Sequence, residues 1–167
     1  MKKALLLIDH GSRLAEANEM LECMANLVQA LAGPDIIVRA AHMELAEPDI
    51  PAGFASCIEA GATEVVAFPY MLSPGRHATS DIPLLVSEAA ARFPDVAWSV
   101  TTAFGVHEKL AEVILLRAGL QPAATLTAAE VCRCWHPSTP GACGEACRPR
   151  QAEVSAQLAA EATIERS

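Results

Sequence analysis

Two histidines stand where short apolar segments end in turns of small residues. In LLLIDHGSR, His10 follows an apolar run, and in VVAFPYMLSPGRHATSDIP, His77 follows a second run and a turn of Pro and Gly. A neutral imidazole is the commonest nitrogen ligand of first-row divalent metals. Ligands of open parallel sheets bind beyond the carboxyl ends of the strands. Both histidines are therefore predicted to hold a divalent metal, although either could be an ordinary loop residue hydrogen-bonded to backbone.

Each histidine has an arginine and a serine close by in the sequence. Arg13 and Ser12 follow His10, whereas Ser73 and Arg76 precede His77. A guanidinium group binds carboxylates through two parallel hydrogen bonds. We therefore predict that these four residues bind an anionic substrate beside the metal, the alternative for the arginines being solvated surface charge.

Acidic residues follow the second apolar strand and the second histidine. Glu44 lies in AAHMELAEPDI and is a candidate metal ligand or proton acceptor. His42, two residues earlier, falls on the same side by strand alternation, and is either a structural buried residue or a further member of the site. Asp49 is expected to cap a helix. Asp81, four residues after His77, is either a hydrogen-bond partner for that imidazole or a first-turn helix residue.

Four of the six cysteines crowd into the segment CRCWHPSTPGACGEACRPR near the end of the chain. In a cytoplasmic protein such a cluster more often indicates metal than disulfides. The spacing predicts either an Fe–S cluster or structural Zn²⁺, with free or redox-active thiols as the alternative. The ligands would be Cys132, Cys134, Cys143 and Cys147.

Hydrophobic periodicity predicts an α/β fold over residues 1–120. Apolar runs at 3–8, 36–41, 65–68 and 96–100 alternate with helical patterns at 14–31, 50–60, 80–92 and 106–118. Strands joined by single helices give a four-stranded parallel sheet flanked by helices, with flavodoxin-like layering. No GxGxxG follows the first strand, which disfavours a dinucleotide cofactor. Residues 121–167 form a Cys-rich C-terminal extension that ends in an Ala-rich helical stretch.

Composition excludes several functional classes. Hydrophobic residues make up 52% of the 167 residues, and the net charge is −8, so nucleic acid and anionic membranes are not expected partners. The apolar runs are far shorter than the roughly 20 residues that a membrane span needs. The start, MKKALLLID, is too short in apolar residues for a signal peptide. We therefore expect a cytoplasmic protein.

Taken together, the motifs LLLIDHGSR, MELAEPDI, FPYMLSPGRHATSDIP and GVHEKLAEVILLRAG resemble the sirohydrochlorin chelatases of the CbiX/SirB type. The resemblance extends over residues 5–119. It implies insertion of a divalent metal, Co²⁺ above all but also Fe²⁺ or Ni²⁺, into sirohydrochlorin or a related tetrapyrrole without ATP. It also implies that His10 and His77 bind the metal and remove protons, that Glu44 is the acidic site residue, and that two chains form a homodimer around the tetrapyrrole.

The chemistry of metal insertion agrees with these residue types. A tetrapyrrole loses its pyrrole protons as the metal enters, and imidazole is a suitable proton acceptor near neutral pH. In an acidic protein, these arginines would bind the carboxylates of sirohydrochlorin. Two alternatives remain open: a carrier that binds metal or tetrapyrrole without catalysis, and a redox-sensing interaction protein that uses the Cys-rich tail.

Overall fold

The computed structural model describes residues 2–125, which contain a four-stranded parallel sheet and four α-helices. The strands are β1 (Lys3–Asp9), β2 (Ile36–His42), β3 (Glu64–Pro69) and β4 (Ala97–Val100), and the helices are α1 (Ala15–Ala32), α2 (Ile50–Glu59), α3 (Ile82–Ala90) and α4 (Glu108–Arg117). The predicted alternation of strands and helices is confirmed. The largest difference is the region predicted as a helix over 80–92, where a π-helical turn, His77–Asp81, precedes α3.

The apolar strands form because both faces of the sheet are covered. On one face, α2 and α3 pack against residues that are almost fully buried, among them Leu6, Ile8, Phe54, Val65, Ile82 and Val86. On the other face, α1 packs against β1 and β2 through Leu7, Leu21, Ala25, Val38 and Ala40. This two-sided burial explains why β1 reads as a continuous apolar run rather than as an alternating one.

The strand order places the two histidine-bearing loops next to each other. The order in the sheet is β2-β1-β3-β4, so β1 lies between β2 and β3. The chain leaves β1 toward β2 on one side and later returns to form β3 on the other side. At such a reversal the connections diverge from neighbouring strand ends and leave a crevice at the carboxyl edge. The loops after β1 and β3 both begin at this crevice.

The connection from α1 to β2 is held by one polar side chain. Gln29 Nε2 donates hydrogen bonds to the carbonyls of Gly33 at 2.9 Å and Ile36 at 2.8 Å. The backbone N–H of Val38 donates to Gln29 Oε1 at 2.9 Å. These three bonds hold the start of β2 against the end of α1. They thereby help to set the position of the carboxyl end of β2 in the sheet.

The compact unit that contains the sheet extends to Phe104, and a second unit begins at Gly105. In the second unit, α4 begins after His107, whose Nδ1 accepts a hydrogen bond from the backbone N–H of Lys109 at 3.1 Å. The predicted domain boundary between residues 120 and 121 stays a prediction. Within residues 2–125, no helix has both the length and the apolar character needed to cross a membrane.

Candidate metal site at the carboxyl edge of the sheet

His10 and His77 lie side by side although they come from separate loops. Their ring centroids are 5.2 Å apart, and the ring planes are inclined at 68°. His10 is the first residue after β1, and His77 opens the π turn that follows β3. Because β1 and β3 are neighbours in the sheet, their carboxyl ends bring both imidazoles to the same edge.

Glu44 joins this pair through His10. Its Oε1 lies 2.8 Å from His10 Nε2, and both side chains are about half exposed to solvent. The backbone supports the contact, because the N–H of Glu44 donates to the carbonyl of His10 at 3.1 Å. The N–H of Met43 donates to the carbonyl of Asp9 at 2.9 Å, so the β1–β2 hydrogen bonding continues beyond the strands. The loop carrying Glu44 is thus fixed to the loop carrying His10.

Gly11 is required at the point where the two loops touch. Its φ is +81°, a conformation that favours glycine, and a Cβ atom there would lie 1.9 Å from the carbonyl oxygen of Glu44. The contact is with backbone, which cannot rotate away. The turn after His10 therefore depends on a residue without a side chain.

A second polar contact lies at the ends of β1 and β2. The ring nitrogen Nδ1 of His42 lies 2.6 Å from Asp9 Oδ1, and the backbone N–H of Gly11 donates to the same oxygen at 2.9 Å. His42 is buried, whereas the Asp9 side chain is partly exposed. Of the two roles considered for His42, the structure gives it a buried position.

His77 is fixed from within its own helical segment. Its Nδ1–H donates to Asp81 Oδ2 at 2.8 Å, which is one of the two roles considered for Asp81. The π turn closes with the N–H of Ile82 donating to the carbonyl of His77, and such turns often occur at functional sites. With Nδ1 bonded to a carboxylate, Nε2 is the nitrogen whose lone pair is available to a metal.

The four predicted substrate-binding residues lie on the same two loops, but their side chains form no hydrogen bond or ion pair with the two imidazoles. Arg76 is 86% exposed, and its Nε lies 3.7 Å from Asp81 Oδ1. Arg13 and Ser73 are exposed as well. Ser12 is half-buried, and its Oγ accepts a hydrogen bond from the N–H of Leu14 at 3.1 Å. Both guanidinium groups are therefore exposed to solvent, and that of Arg76 contacts Asp81.

Sequence reasoning missed Asn18, which holds the loop after β1. Asn18 Oδ1 accepts from the N–H of Ser12 at 2.9 Å, and its Nδ2 donates to the carbonyl of Ser12 at 2.8 Å. The available signal was an Asn in the first turn of a helix, six residues after a glycine-containing turn, where amide side chains often satisfy free backbone groups. Asn18 thereby ties the loop to α1.

Within the described range, no three His, Cys, Asp or Glu side chains stand in the arrangement of a ready-made metal site. His10 and Glu44 contact each other instead, and His77 faces His10 edge-on. A metal would have to separate His10 Nε2 from Glu44 to bind that nitrogen. The predicted cluster ligands Cys132, Cys134, Cys143 and Cys147 lie outside the described residues.

Solved structures of chelatases share the α/β architecture of this chain. One is SirB from Bacillus subtilis with Fe³⁺, which is 30% identical, has a TM-score of 0.64, and is matched over 73% of this chain and 49% of that one. Another is the sirohydrochlorin chelatase SirB from B. subtilis subspecies spizizenii in complex with cobalt, at 30% identity and a TM-score of 0.66, matched over 71% of this chain and 50% of that one.

The sequence comparison is more specific. A family model described as CbiX matches residues 4–119, and the chain belongs to this family. A chloroplastic sirohydrochlorin ferrochelatase of Arabidopsis thaliana is 42% identical over 110 residues, which are 66% of this chain and 48% of that protein. The chain thus spans about half the length of the curated relatives it matches first. The resemblance stated from the motifs is confirmed.

Proposed function

We propose that this protein is a chelatase that inserts a divalent metal ion into sirohydrochlorin or a closely related tetrapyrrole. The observation that carries the proposal is the meeting of His10 and His77 at 5.2 Å, with Glu44 bonded to His10, at the sheet edge where ligands of this fold class bind. The relatives named ferrochelatase and the cobalt-bearing structure support the substrate class.

The two histidines receive different tasks. His77 is held through Nδ1 by Asp81, so its Nε2 is ready to bind the incoming ion. His10 Nε2 lies 2.8 Å from Glu44 Oε1, so this pair accepts the protons that leave the pyrrole nitrogens, and His10 Nε2 becomes a second ligand when the ion separates it from Glu44. The metal is a substrate in this scheme, and half-exposed ligands suit an ion that must be released into the macrocycle.

The substrate's carboxylates would be bound by the loops on either side of the histidines. Arg13 and Arg76 offer solvent-exposed guanidinium groups, and Ser12 and Ser73 offer hydroxyl donors. Since the chain carries a net charge of −8, these local cations are needed to hold an anionic tetrapyrrole.

The test is an anaerobic absorbance time course of sirohydrochlorin with Co²⁺, comparing the unmodified protein with the double variant His10→Ala/His77→Ala. We expect catalysed insertion that falls to the uncatalysed rate in the double variant. His107→Asn is the matched control, because it removes an imidazole that has no role in the proposal and keeps a side chain that can cap α4. If the unmodified protein binds the tetrapyrrole without accelerating insertion, the chelatase assignment is wrong and a carrier is favoured.

The relatives include both ferrochelatases and cobaltochelatases, so the metal that this protein inserts needs a test of its own. Affinity alone follows the Irving–Williams order and does not select the physiological ion. Time courses with Co²⁺, Fe²⁺ and Ni²⁺ at equal concentration, followed by pairwise competition, rank the three by rate of insertion. A rate with Co²⁺ below that with Fe²⁺ would contradict the expectation that cobalt is preferred.

The homodimer and the cytoplasmic location also stay predictions. Sedimentation equilibrium of the full chain distinguishes a dimer from a monomer. For the Cys-rich tail, anaerobic purification followed by iron, sulfide and zinc analysis distinguishes the predicted Fe–S cluster from Zn²⁺ or from free thiols.

A further inference from the structure

His42 is a polar side chain where an apolar one would be expected. In the part of the chain that the structure describes, it is the one polar residue in the buried set, at 1% exposure. Burying a polar group costs free energy unless a hydrogen bond compensates for the lost water. Asp9 supplies that bond at 2.6 Å. An aliphatic residue would fill the same position without needing a partner, so packing alone does not account for the His42–Asp9 pair.

The contacts of Asp9 supply the reason. Its Oδ1 accepts from His42 on the neighbouring strand and also from the backbone N–H of Gly11 at 2.9 Å. Asp9 and His42 are register partners, so the side-chain contact links the two strands at their last paired position. Gly11 directly follows His10. One carboxylate oxygen thus binds the end of β2 and the turn that carries His10.

The backbone on the other side of His42 completes the arrangement. The N–H of His42 donates to the carbonyl of Pro48 at 2.8 Å, which draws the far end of the loop after β2 back to the strand. Glu44 lies within that loop, and its N–H donates to the carbonyl of His10 at 3.1 Å. The side chain of His42 therefore holds Asp9, which binds the turn after His10, and its backbone N–H holds the end of the loop that carries Glu44.

We propose that His42 and Asp9 are positioning residues that set the contact between His10 and Glu44. Neither contacts the proposed metal, and their effect passes through the turn at Gly11 and the loop that carries Glu44. The consequence for metal binding rests on the proposed function, whereas the positioning itself does not. Loss of the His42–Asp9 bond should leave the fold in place and release the orientation of the His10 ring.

Three variants separate positioning from simple packing. His42→Leu keeps an apolar side chain in the core and removes the hydrogen-bond donor to Asp9. His42→Asn restores a donor, because the Asn side-chain N–H lies close to where imidazole Nδ1 lies. Val65→Ala is the control, since it disturbs a fully buried position at the opposite end of β3 and is expected to lower stability without touching the site.

The first readout needs neither metal nor substrate. Imidazole ¹H–¹⁵N NMR of His10 reports its hydrogen bond to Glu44 directly. We expect this signal to shift and broaden in His42→Leu, to return close to its original position in His42→Asn, and to be unchanged in Val65→Ala. An unchanged His10 signal in a folded His42→Leu variant would overturn the proposal, and so would an equal change in Val65→Ala.

The second readout is the visible absorption of bound Co²⁺ during titration. His42→Leu should weaken Co²⁺ binding by about tenfold to a hundredfold, as is typical when a residue supporting a ligand is lost, and His42→Asn should recover most of the affinity. Equal Co²⁺ affinity in His42→Leu and the unmodified protein would contradict the proposal. If the unmodified protein binds no Co²⁺, the proposed function fails instead, and the NMR comparison still decides whether the pair positions His10.

Discussion

The two histidines of the site are held in different ways. His77 is fixed by Asp81 four residues later, within one helical segment, through a single contact of 2.8 Å between half-exposed side chains. His10 is fixed by β2 and the loop after it, from residues more than thirty positions away in the sequence, with the buried His42 beneath. One histidine therefore depends on local helix geometry, and the other depends on the assembled sheet.

This difference predicts which substitutions affect stability and which affect only the chemistry of the site. A change near His10 disturbs backbone contacts between two strands, so it should affect stability and chemistry together. A change near His77 removes an exposed side-chain contact, so it should affect chemistry while stability stays almost constant.

Gly11→Ala should give the largest effect. The new Cβ would lie 1.9 Å from the Glu44 carbonyl oxygen, and the backbone would keep an unfavourable φ of +81°. We expect a loss of unfolding free energy of about 3 kcal/mol or more, together with loss of metal insertion. Urea unfolding and the absorbance assay measure the two effects. Normal insertion in a variant of unchanged stability would show that the β1 and β2 loops are not in contact as described.

Asp81→Ala should leave stability within about 0.5 kcal/mol, because the contact to His77 is exposed at the surface. Co²⁺ affinity should nevertheless fall by about tenfold to a hundredfold, since the ring of His77 loses the carboxylate that orients it. Asp95→Ala removes an exposed carboxylate elsewhere and serves as the control. Unchanged Co²⁺ affinity in Asp81→Ala would mean that the π turn alone orients His77.

The buried thiol of Cys57 and the exposed thiol of Cys23 should respond differently to pH. Burial in the α2 core raises the pKa of the Cys57 thiol to about 11 from its ordinary value of 9.0, opposed in part by the charge of Arg39. The thiol therefore ionises at a lower pH in the unfolded chain than in the folded protein. The stability that the protonated thiol contributes is complete below pH 9 and is lost as the pH rises toward 11. Between pH 8 and pH 10 the loss should be about 1 kcal/mol.

Urea unfolding at both pH values, in the unmodified protein and in Cys57→Ala, isolates this contribution from other groups that titrate. The exposed Cys23 provides the control, because Cys23→Ala should keep the full pH dependence. An identical pH dependence in Cys57→Ala and Cys23→Ala would refute the assignment.

Gly75→Ala should give the smallest effect. Gly75 precedes the π turn, its φ lies outside the left-handed region, and a Cβ atom there would have no neighbour within 4 Å. We expect a change in unfolding free energy within about 0.5 kcal/mol. Set beside Gly11→Ala, this variant measures how differently the two loops are constrained. A loss comparable with that of Gly11→Ala would remove the distinction between them.

The sequence is sufficient to predict the elements and the two histidine loops, because both depend on local patterns. Apolar runs mark the strands, and His10 and His77 stand directly in the turns that follow β1 and β3. Their proximity follows from the strand order, which the alternating pattern makes probable but does not specify. The helix cap at Asp49 was also predictable, and its side chain accepts from the N–H of Ala52 at 2.8 Å.

The contacts that orient the site were harder to predict, because they depend on register and backbone shape. The pairing of Asp9 with His42 requires knowledge that these two positions lie opposite each other. The contact of Gly11 with the Glu44 carbonyl requires the path of two loops at once. The π turn at His77–Asp81 was not predicted either, since a segment of five residues is too short for its apolar spacing to distinguish a π turn from an α-helix.

The missing side chain at Gly11 restricts how this site could be transferred or lengthened. Because the carbonyl of Glu44 occupies the space beside Gly11, the turn after β1 and the loop after β2 form one interlocked piece of backbone. Neither can gain or lose a residue unless the other changes to match. A protein engineer grafting this histidine and glutamate onto another parallel sheet would have to move both loops as a unit, whereas the His77 segment could be transplanted alone.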